Sequence, residues 1–93
     1  MKPFPTYESD IYYHIGISYC RREKYHKSIY PYSRCIELNP DPIYFHERAK
    51  AYQMLGEHIK AIDDFNRVIN SNNRNARAYF RRAFSYKAID VIA

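Results

Sequence analysis

The chain has 93 residues, of which 46% are hydrophobic, 17% are aromatic and only two are glycine, a composition typical of one small folded helical domain. Its formal net charge is +5 at pH 7, and no apolar run approaches the roughly 18 residues of a membrane-spanning helix. Lys2 is followed by prolines instead of an apolar stretch, so no signal peptide is expected. The two cysteines are therefore predicted to be reduced thiols of a cytoplasmic or nuclear protein.

The first helix is predicted to follow a lead-in of residues 1–8, where Pro3 and Pro5 disfavour helix. Ser9 or Asp10 is expected to cap it, because either side chain can accept an N–H group of the first turn. Spacings of three and four then give one helical face that ends near residue 22. The residues of this inward face are Tyr12, Ile15, Gly16 and Tyr19.

The second helix is predicted over about residues 25–38, after a turn at residues 23–24 that contains no glycine. Pro31 should lie in the first turn of this helix, where a missing N–H group costs little, or should delay the start of regular helix. Cys35 is expected to be a small core residue.

Two more helices, joined by a tight turn, are predicted within residues 42–70. Asp41 is a good N-cap, and Pro42 is suited to the first helical position. Gly56 is expected to end the first of these helices in the left-handed conformation, which is cheap only for glycine. The residues of the two inner faces are Phe45, Ala49 and Tyr52, then Ala61, Phe65, Val68 and Ile69.

A fifth helix is predicted to begin near residue 76, after the polar segment 71–75, with Tyr79, Ala83 and Tyr86 on its inner face. Tyr19, Tyr52 and Tyr86 recur along the chain at a spacing of about 34 residues. A helix–turn–helix unit with this spacing has the period of the tetratricopeptide repeat, and the chain resembles that family from residue 9 onward. The resemblance implies a first repeat at 9–41, a second at 42–75 and the first helix of a truncated third repeat at 76–93.

The resemblance also implies an all-α fold, in which about five helices form antiparallel hairpins stacked as a short right-handed solenoid. It further implies a protein–protein interaction scaffold whose first helices line a concave groove for a peptide or helix of a partner protein. The net charge of +5 favours an acidic or aromatic-seeking partner. Carrying the family's ligand-facing pattern onto this sequence gives the expected groove residues. They are Tyr13, Ile17, Arg21, His46, Lys50, Gln53, Arg77, Phe80, Arg81 and Phe84.

Two other binding functions compete with this expectation. Some family members grip the C-terminal carboxylates of heat-shock chaperones, and Arg77 and Arg81 match the cationic pair that those members use. Tyr13, Ile17 and Glu47 replace the other clamp residues, and the Glu47 carboxylate would repel such a ligand. Basic residues interleaved with aromatic ones also suit single-stranded nucleic acid, although two and a half repeats offer little sequence specificity.

Catalysis and cofactor binding are not predicted. The four histidines show no pair at a metal-ligand spacing on one helix face, and two glycines do not make a phosphate-binding loop. Asp63 and Asp64 are adjacent, hence on different helix faces, and are predicted to be solvated surface residues. No catalytic residue, metal or cofactor is therefore expected.

The last helix predicts self-association. Without a second helix in its repeat, it is expected to expose Phe80 or Phe84 together with the apolar end of the chain at residues 89–92. Contiguous apolar patches of this kind usually mark interfaces. A homodimer through the C-terminal helix is therefore predicted, with a monomer that has a frayed last turn as the alternative.

Overall fold

The computed structural model describes residues 7–92, with side chains placed through Val91. This part of the chain contains no strand and forms five helices: α1 (Tyr7–Arg21), α2 (Tyr25–Leu38), α3 (Pro42–Met54), α4 (His58–Ser71) and α5 (Ala76–Ile92). Each helix packs against the next, and α3 also contacts α5. The predicted all-α solenoid of antiparallel hairpins is confirmed, and it measures 47 × 30 × 17 Å. None of the five helices has the length and apolarity needed to cross a membrane.

Side chains cap α3 and α5. The Asp41 carboxylate accepts the Ile43 N–H at 2.9 Å and Pro42 is the first residue of α3, as predicted. The Asn75 side chain accepts the Ala78 N–H at 3.0 Å, so α5 begins directly after the predicted polar segment. Both helix starts therefore follow from short-range chemistry that the sequence displays.

The turn between α3 and α4 is a Schellman motif. The Glu57 N–H donates to the Tyr52 carbonyl at 2.8 Å, and the Gly56 N–H donates to the Gln53 carbonyl at 3.0 Å. Gly56 has a φ of 77°, the left-handed conformation predicted for it. This sharp turn lets α4 fold back antiparallel to α3.

Two expectations for the first hairpin are wrong. Helix α1 already begins at Tyr7, so Ser9 lies inside it, fully buried, and its carbonyl accepts the Cys35 thiol at 3.2 Å. Neither residue 9 nor residue 10 is therefore an N-cap. Pro31 lies in the second turn of α2 and does not delay the helix, which begins at Tyr25.

The core lies between α3, α4 and α5. Ala49 and Ala61 lie on the predicted inner faces and have no exposed surface, because these small side chains let α3 and α4 approach each other closely. Phe65 is also fully buried, which contributes roughly 1.5–3 kcal/mol to stability. The buried residues of this cluster are Phe45, Ala49, Ala61, Phe65, Val68, Ile69 and Ala78, with Ile36 and Tyr52 packed against them.

Helix α1 packs against α2 through Gly16. A Cβ atom at this position would lie 2.5 Å from the ring of Tyr32, which is itself fully buried, so only glycine fits. Tyr12 and Tyr19 are half-buried, but Ile15 is 40% exposed. The inward position predicted for Ile15 is therefore wrong, because α2 covers a narrower face of α1 than the apolar pattern predicts.

Helix α5 packs against α4 through Ala78 and Ser85, which are fully buried. The residues predicted for the inner face of α5 are not buried. Tyr79 and Tyr86 are 40% and 51% exposed, and Ala83 is exposed too. Among the described residues no helix packs on that face. In the middle hairpin the corresponding face of α3 is covered by α4.

Candidate functional site

A cavity of about 590 Å³ opens between α1, α3 and α5, and we call it the groove cavity. Its apolar lining comes from Ile17 on α1, Tyr25 at the start of α2, and Met54 at the end of α3. Phe80 and Phe84 on α5 complete it, with 78% and 62% of their surfaces exposed. Two phenylalanine side chains thus face solvent beside a concave surface, an arrangement that favours binding of another apolar group.

Charged side chains also line the groove cavity. The Lys50 ammonium lies 3.4 Å from the Glu47 carboxylate, so these two charges partly neutralise each other. Arg21 and Arg81 line the same cavity, and within residues 7–92 neither pairs with a carboxylate. Both guanidinium groups can therefore bind an anionic group of a ligand.

Gln53 lines the groove cavity, but its amide group is already hydrogen-bonded. Its Nε2 donates to the Arg81 carbonyl at 2.7 Å and to the Ser85 hydroxyl at 2.7 Å. The same hydroxyl lies 3.0 Å from Nδ1 of His58. These bonds hold α5 against α3, so Gln53 positions the wall that carries Phe80.

A smaller cavity of about 230 Å³ lies next to the groove cavity, and Glu47 lines both. Arg77 and His46 line the smaller one. His46 is only 7% exposed, its ring contacts Phe65 edge to face at 5.4 Å between centroids, and its Nε2 has no hydrogen-bond partner among the described residues. Burial lowers the pKa of His46, and the charge of Lys50 adds to this effect while that of Glu47 opposes it. The buried imidazole therefore accepts a proton less readily than that of an exposed histidine.

The structure brings nine of the ten predicted groove residues to these two cavities. His46 and Arg77 line the smaller cavity. Tyr13 lines neither, and lies between α1 and α3 with its ring centroid 6.4 Å from that of Tyr32 and 5.6 Å from that of Tyr44. The other seven residues line the groove cavity: Ile17, Arg21, Lys50, Gln53, Phe80, Arg81 and Phe84.

Five residues line the groove cavity but are absent from the ten predicted ones: Cys20, Tyr25, Glu47, Ala51 and Met54. The repeat itself contains the signal for three of them. Cys20 stands one repeat before Gln53, Met54 stands one repeat after Arg21 and Glu47 stands one repeat before Arg81, so all three are copies of residues that the set includes. Tyr25 belongs to a second helix, and a pattern restricted to first helices does not find it.

No family model matches the chain. The heat-shock protein cognate co-chaperone sgt12 of Aspergillus fumigatus is 39% identical over 61 residues, which are 64% of this chain and 18% of that protein. The fold matches the Sgt2 tetratricopeptide repeat (TPR) domain of Aspergillus fumigatus with a TM-score of 0.85 at 30% identity, covering 92% of this chain and 58% of that one. It also matches the first TPR of Spaghetti (RPAP3), solved with the HSP90 peptide SRMEEVD, with a TM-score of 0.87 at 24% identity, covering 96% and 71%.

The chain is a tetratricopeptide repeat protein. This TPR chain spans less than a fifth of the length of sgt12, so the similarity concerns one region of that relative. Among the described residues the spacing of the helices, the Gly56 turn and the groove between first helices all agree with the family that the repeat period predicts.

Proposed function

We propose that this TPR chain is a protein–protein interaction module that binds an extended segment of a partner protein in the groove formed by the two cavities. The observation that carries the proposal is the groove cavity, where exposed Phe80 and Phe84 stand beside Arg81, which pairs with no carboxylate of residues 7–92. A volume of about 590 Å³ is enough to take an apolar side chain together with neighbouring backbone.

The same geometry defines the chemistry of the partner segment. An apolar side chain would pack against Ile17, Phe80 and Phe84, and a carboxylate beside it would face Arg81. Arg77 lies one helical turn before Arg81, so the two can bind neighbouring carboxylates of an acidic segment. The proposed function involves neither catalysis nor a cofactor, and the cytoplasmic location stays a prediction.

Charge reversal in the groove tests this function. The chain is screened against a displayed library of short random peptides, and one selected peptide is titrated against variants. Arg77→Glu combined with Arg81→Glu should weaken binding about tenfold or more, because two attractions become repulsions. Asp63→Lys and Arg67→Glu, exposed changes on α4, are the matched controls and should leave the affinity unchanged. Equal loss from the α4 variants would place the interface on the other side of the solenoid.

A chaperone C-terminal tail is the second candidate ligand. Two observations favour it, since sgt12 is a co-chaperone and the RPAP3 repeat was solved with the peptide SRMEEVD. Arg77 and Arg81 suit a terminal carboxylate, whereas Glu47 opposes one. The test compares SRMEEVD with its C-terminal amide. The acid should bind more tightly, and Glu47→Asn should increase its affinity several-fold; equal binding of acid and amide rejects this candidate and leaves the first one intact.

Single-stranded nucleic acid stays a competing prediction. Binding to phosphates releases counterions and falls steeply with salt, whereas binding carried by an apolar cavity does not. A titration of the chain with single-stranded RNA and with the selected peptide at about 50 and 200 mM salt therefore separates the two. The protein function predicts that the peptide keeps most of its affinity at the higher salt concentration.

A further inference from the structure

In the middle repeat, Arg48 links α3 to both neighbouring helices. Its Nε and Nη2 donate to the two carboxylate oxygens of Asp64 on α4, each at 2.8 Å, and its Nη1 donates to the Ser33 hydroxyl on α2 at 3.0 Å. The guanidinium group also lies over the rings of Phe45 and Tyr52, at 5.8 and 5.6 Å from their centroids. Asp64 is only 3% exposed, so α4 docks on α3 around a buried ion pair.

Arg82 on α5 repeats this arrangement with one member missing. It is the copy of Arg48 in the next repeat, and its Nη1 donates to the Asn66 side chain on α4 at 2.7 Å. Asn66 in turn is the copy of Ser33, so the bond to the preceding hairpin recurs in both repeats of this chain. Arg82 has no counterpart of the ion pair that Arg48 makes with Asp64, because within residues 7–92 no carboxylate pairs with Arg82.

The surface around Arg82, which we call the uncovered face, consists of Tyr79, Arg82, Ala83 and Tyr86. The guanidinium group lies over both tyrosine rings, at 5.2 and 5.7 Å from their centroids. Ala83 is exposed, whereas its copy Ala49 is fully buried where α4 approaches α3. The uncovered face thus carries two aromatic rings, a small residue and an oriented cation. Residues of the same kinds on α3 contact α4 in the middle repeat.

We propose that the uncovered face binds an amphipathic helix of another protein, antiparallel to α5, that presents an aspartate or glutamate to Arg82. Helix α4 shows the pattern that such a helix requires. A small residue is followed three positions later by the carboxylate, then directly by a large apolar residue, with another apolar residue three positions further on. In α4 these are Ala61, Asp64, Phe65 and Val68. This function is separate from the groove, whose wall is formed by the other side of α5.

Within the described residues no segment folds back over the uncovered face. After α3 the chain reverses at Gly56, which permits α4 to return over α3. The corresponding position in α5 is Asp90, and the helix continues through it to Ile92.

A second copy of the chain is a poor occupant of the uncovered face. Among the five described helices only α4 carries the required pattern, and in each copy it is already buried against α3. The dimer expected from sequence involves Phe80 or Phe84 together with the apolar residues 89–92, and both phenylalanines line the groove cavity instead of the uncovered face. Partner helices with a complementary acidic residue therefore fit the uncovered face better than another copy does.

The test uses a synthetic peptide with the sequence of residues 57–72, blocked at both ends, which carries the α4 pattern without its partner helix. It is titrated against the full chain by fluorescence anisotropy, with circular dichroism to follow helix formation. Binding with a gain in helicity is expected. Arg82→Gln should weaken it about tenfold, and so should Asp64→Asn in the peptide, whereas the two changes together should cost no more than either alone.

Two further variants of the full chain keep the test decisive. Arg81→Gln changes the neighbouring residue, which lines the groove cavity, and should leave peptide affinity unchanged. Ala83→Arg blocks the uncovered face through an exposed position and should abolish binding without lowering thermal stability. The proposal is overturned if Arg82→Gln has no effect on peptide affinity. It is also overturned if Arg48→Gln weakens binding more than Arg82→Gln does, because the peptide then exchanges with the chain's own α4. A chain that sediments as a dimer, and that Tyr86→Glu converts to a monomer, would overturn it as well.

Discussion

Glu23 and Gly56 take the same left-handed backbone conformation, with φ values of 58° and 77°, at the ends of α1 and α3. The hydrogen bonds of the α3 turn recur after α1, where the Lys24 N–H donates to the Tyr19 carbonyl at 2.8 Å and the Glu23 N–H to the Cys20 carbonyl at 2.9 Å. Both hairpins therefore close with the same motif. The first one does so with a side chain in a conformation that costs roughly 1–2 kcal/mol for residues other than glycine.

Replacing Glu23→Gly should increase the free energy of unfolding by about 0.5–1 kcal/mol, because relief of the left-handed strain outweighs the extra entropy of glycine in the unfolded chain. Urea unfolding measures the change. Gly56→Ala is the reverse experiment and should cost about 1 kcal/mol through the backbone alone, since an added Cβ there meets no atom within 4 Å. If Glu23→Ala stabilises the chain as much as Glu23→Gly does, the side chain of Glu23 and not its φ angle is unfavourable.

Ala49 and Ala83 are copies of one position in two environments, and the same substitution should affect them differently. Ala49→Leu forces a larger side chain into the contact between α3 and α4, where Ala49 has no exposed surface, and should cost about 1–3 kcal/mol. Ala83→Leu adds the same atoms at an exposed position and should change stability by less than about 0.5 kcal/mol. Thermal unfolding of the two variants checks this, and equal melting temperatures would contradict the helix pairing.

The sequence predicts the fold well because its strongest signals are local and repeated. Gly56, Asp41 and Pro42 each determine a turn or a helix start through their own backbone or side-chain chemistry, and the structure confirms all three. Ser9 shows the limit of such signals. Serine is a good cap and also a small residue that fits a tight contact, and only the packing against Cys35 decides between the two.

The candidate site is predicted less completely, since burial depends on contacts that are distant in sequence. Asp63 and Asp64 point to different faces, as their adjacency requires, but the prediction that both are solvated is wrong. Asp63 is exposed, whereas Asp64 is 3% exposed and pairs with Arg48, which lies on the preceding helix. Gln53 is similar, because its amide is engaged by α5, which lies beyond the whole of α4 in the chain.

The two aspartates provide a matched pair for measuring the ion pair. Asp64→Asn keeps the shape of the side chain but removes the charge that faces Arg48, and should cost about 2–3 kcal/mol of stability because the half-buried guanidinium loses its counter-charge. Asp63→Asn, on the exposed face, should change stability by less than about 0.5 kcal/mol. Urea unfolding at pH 7 measures both free energies. Equal effects of the two substitutions would show that the bidentate contact with Arg48 contributes nothing measurable.

The buried imidazole of His46 should make the stability of the fold depend on pH. Burial lowers the pKa of His46 below its ordinary value of 6.5, so in the window between the two pKa values the unfolded chain binds a proton that the folded chain does not. The contribution of His46 to stability is therefore fully present above about pH 7 and is lost as the pH falls through 6.5 towards the lowered pKa of the folded state.

His46→Phe removes this titration and keeps an aromatic ring against Phe65. Phenylalanine is also the residue at the corresponding position of the next repeat, Phe80. Unfolding free energies measured at about pH 5.5, 6.5 and 7.5 should fall more steeply with acidification for the native chain than for the variant. The other titrating groups are present in both proteins, so the difference between the two curves reports His46 together with its interaction with Glu47. Parallel curves would mean that the imidazole accepts a proton as readily in the folded chain as in the unfolded one, and would contradict the lowered pKa of His46.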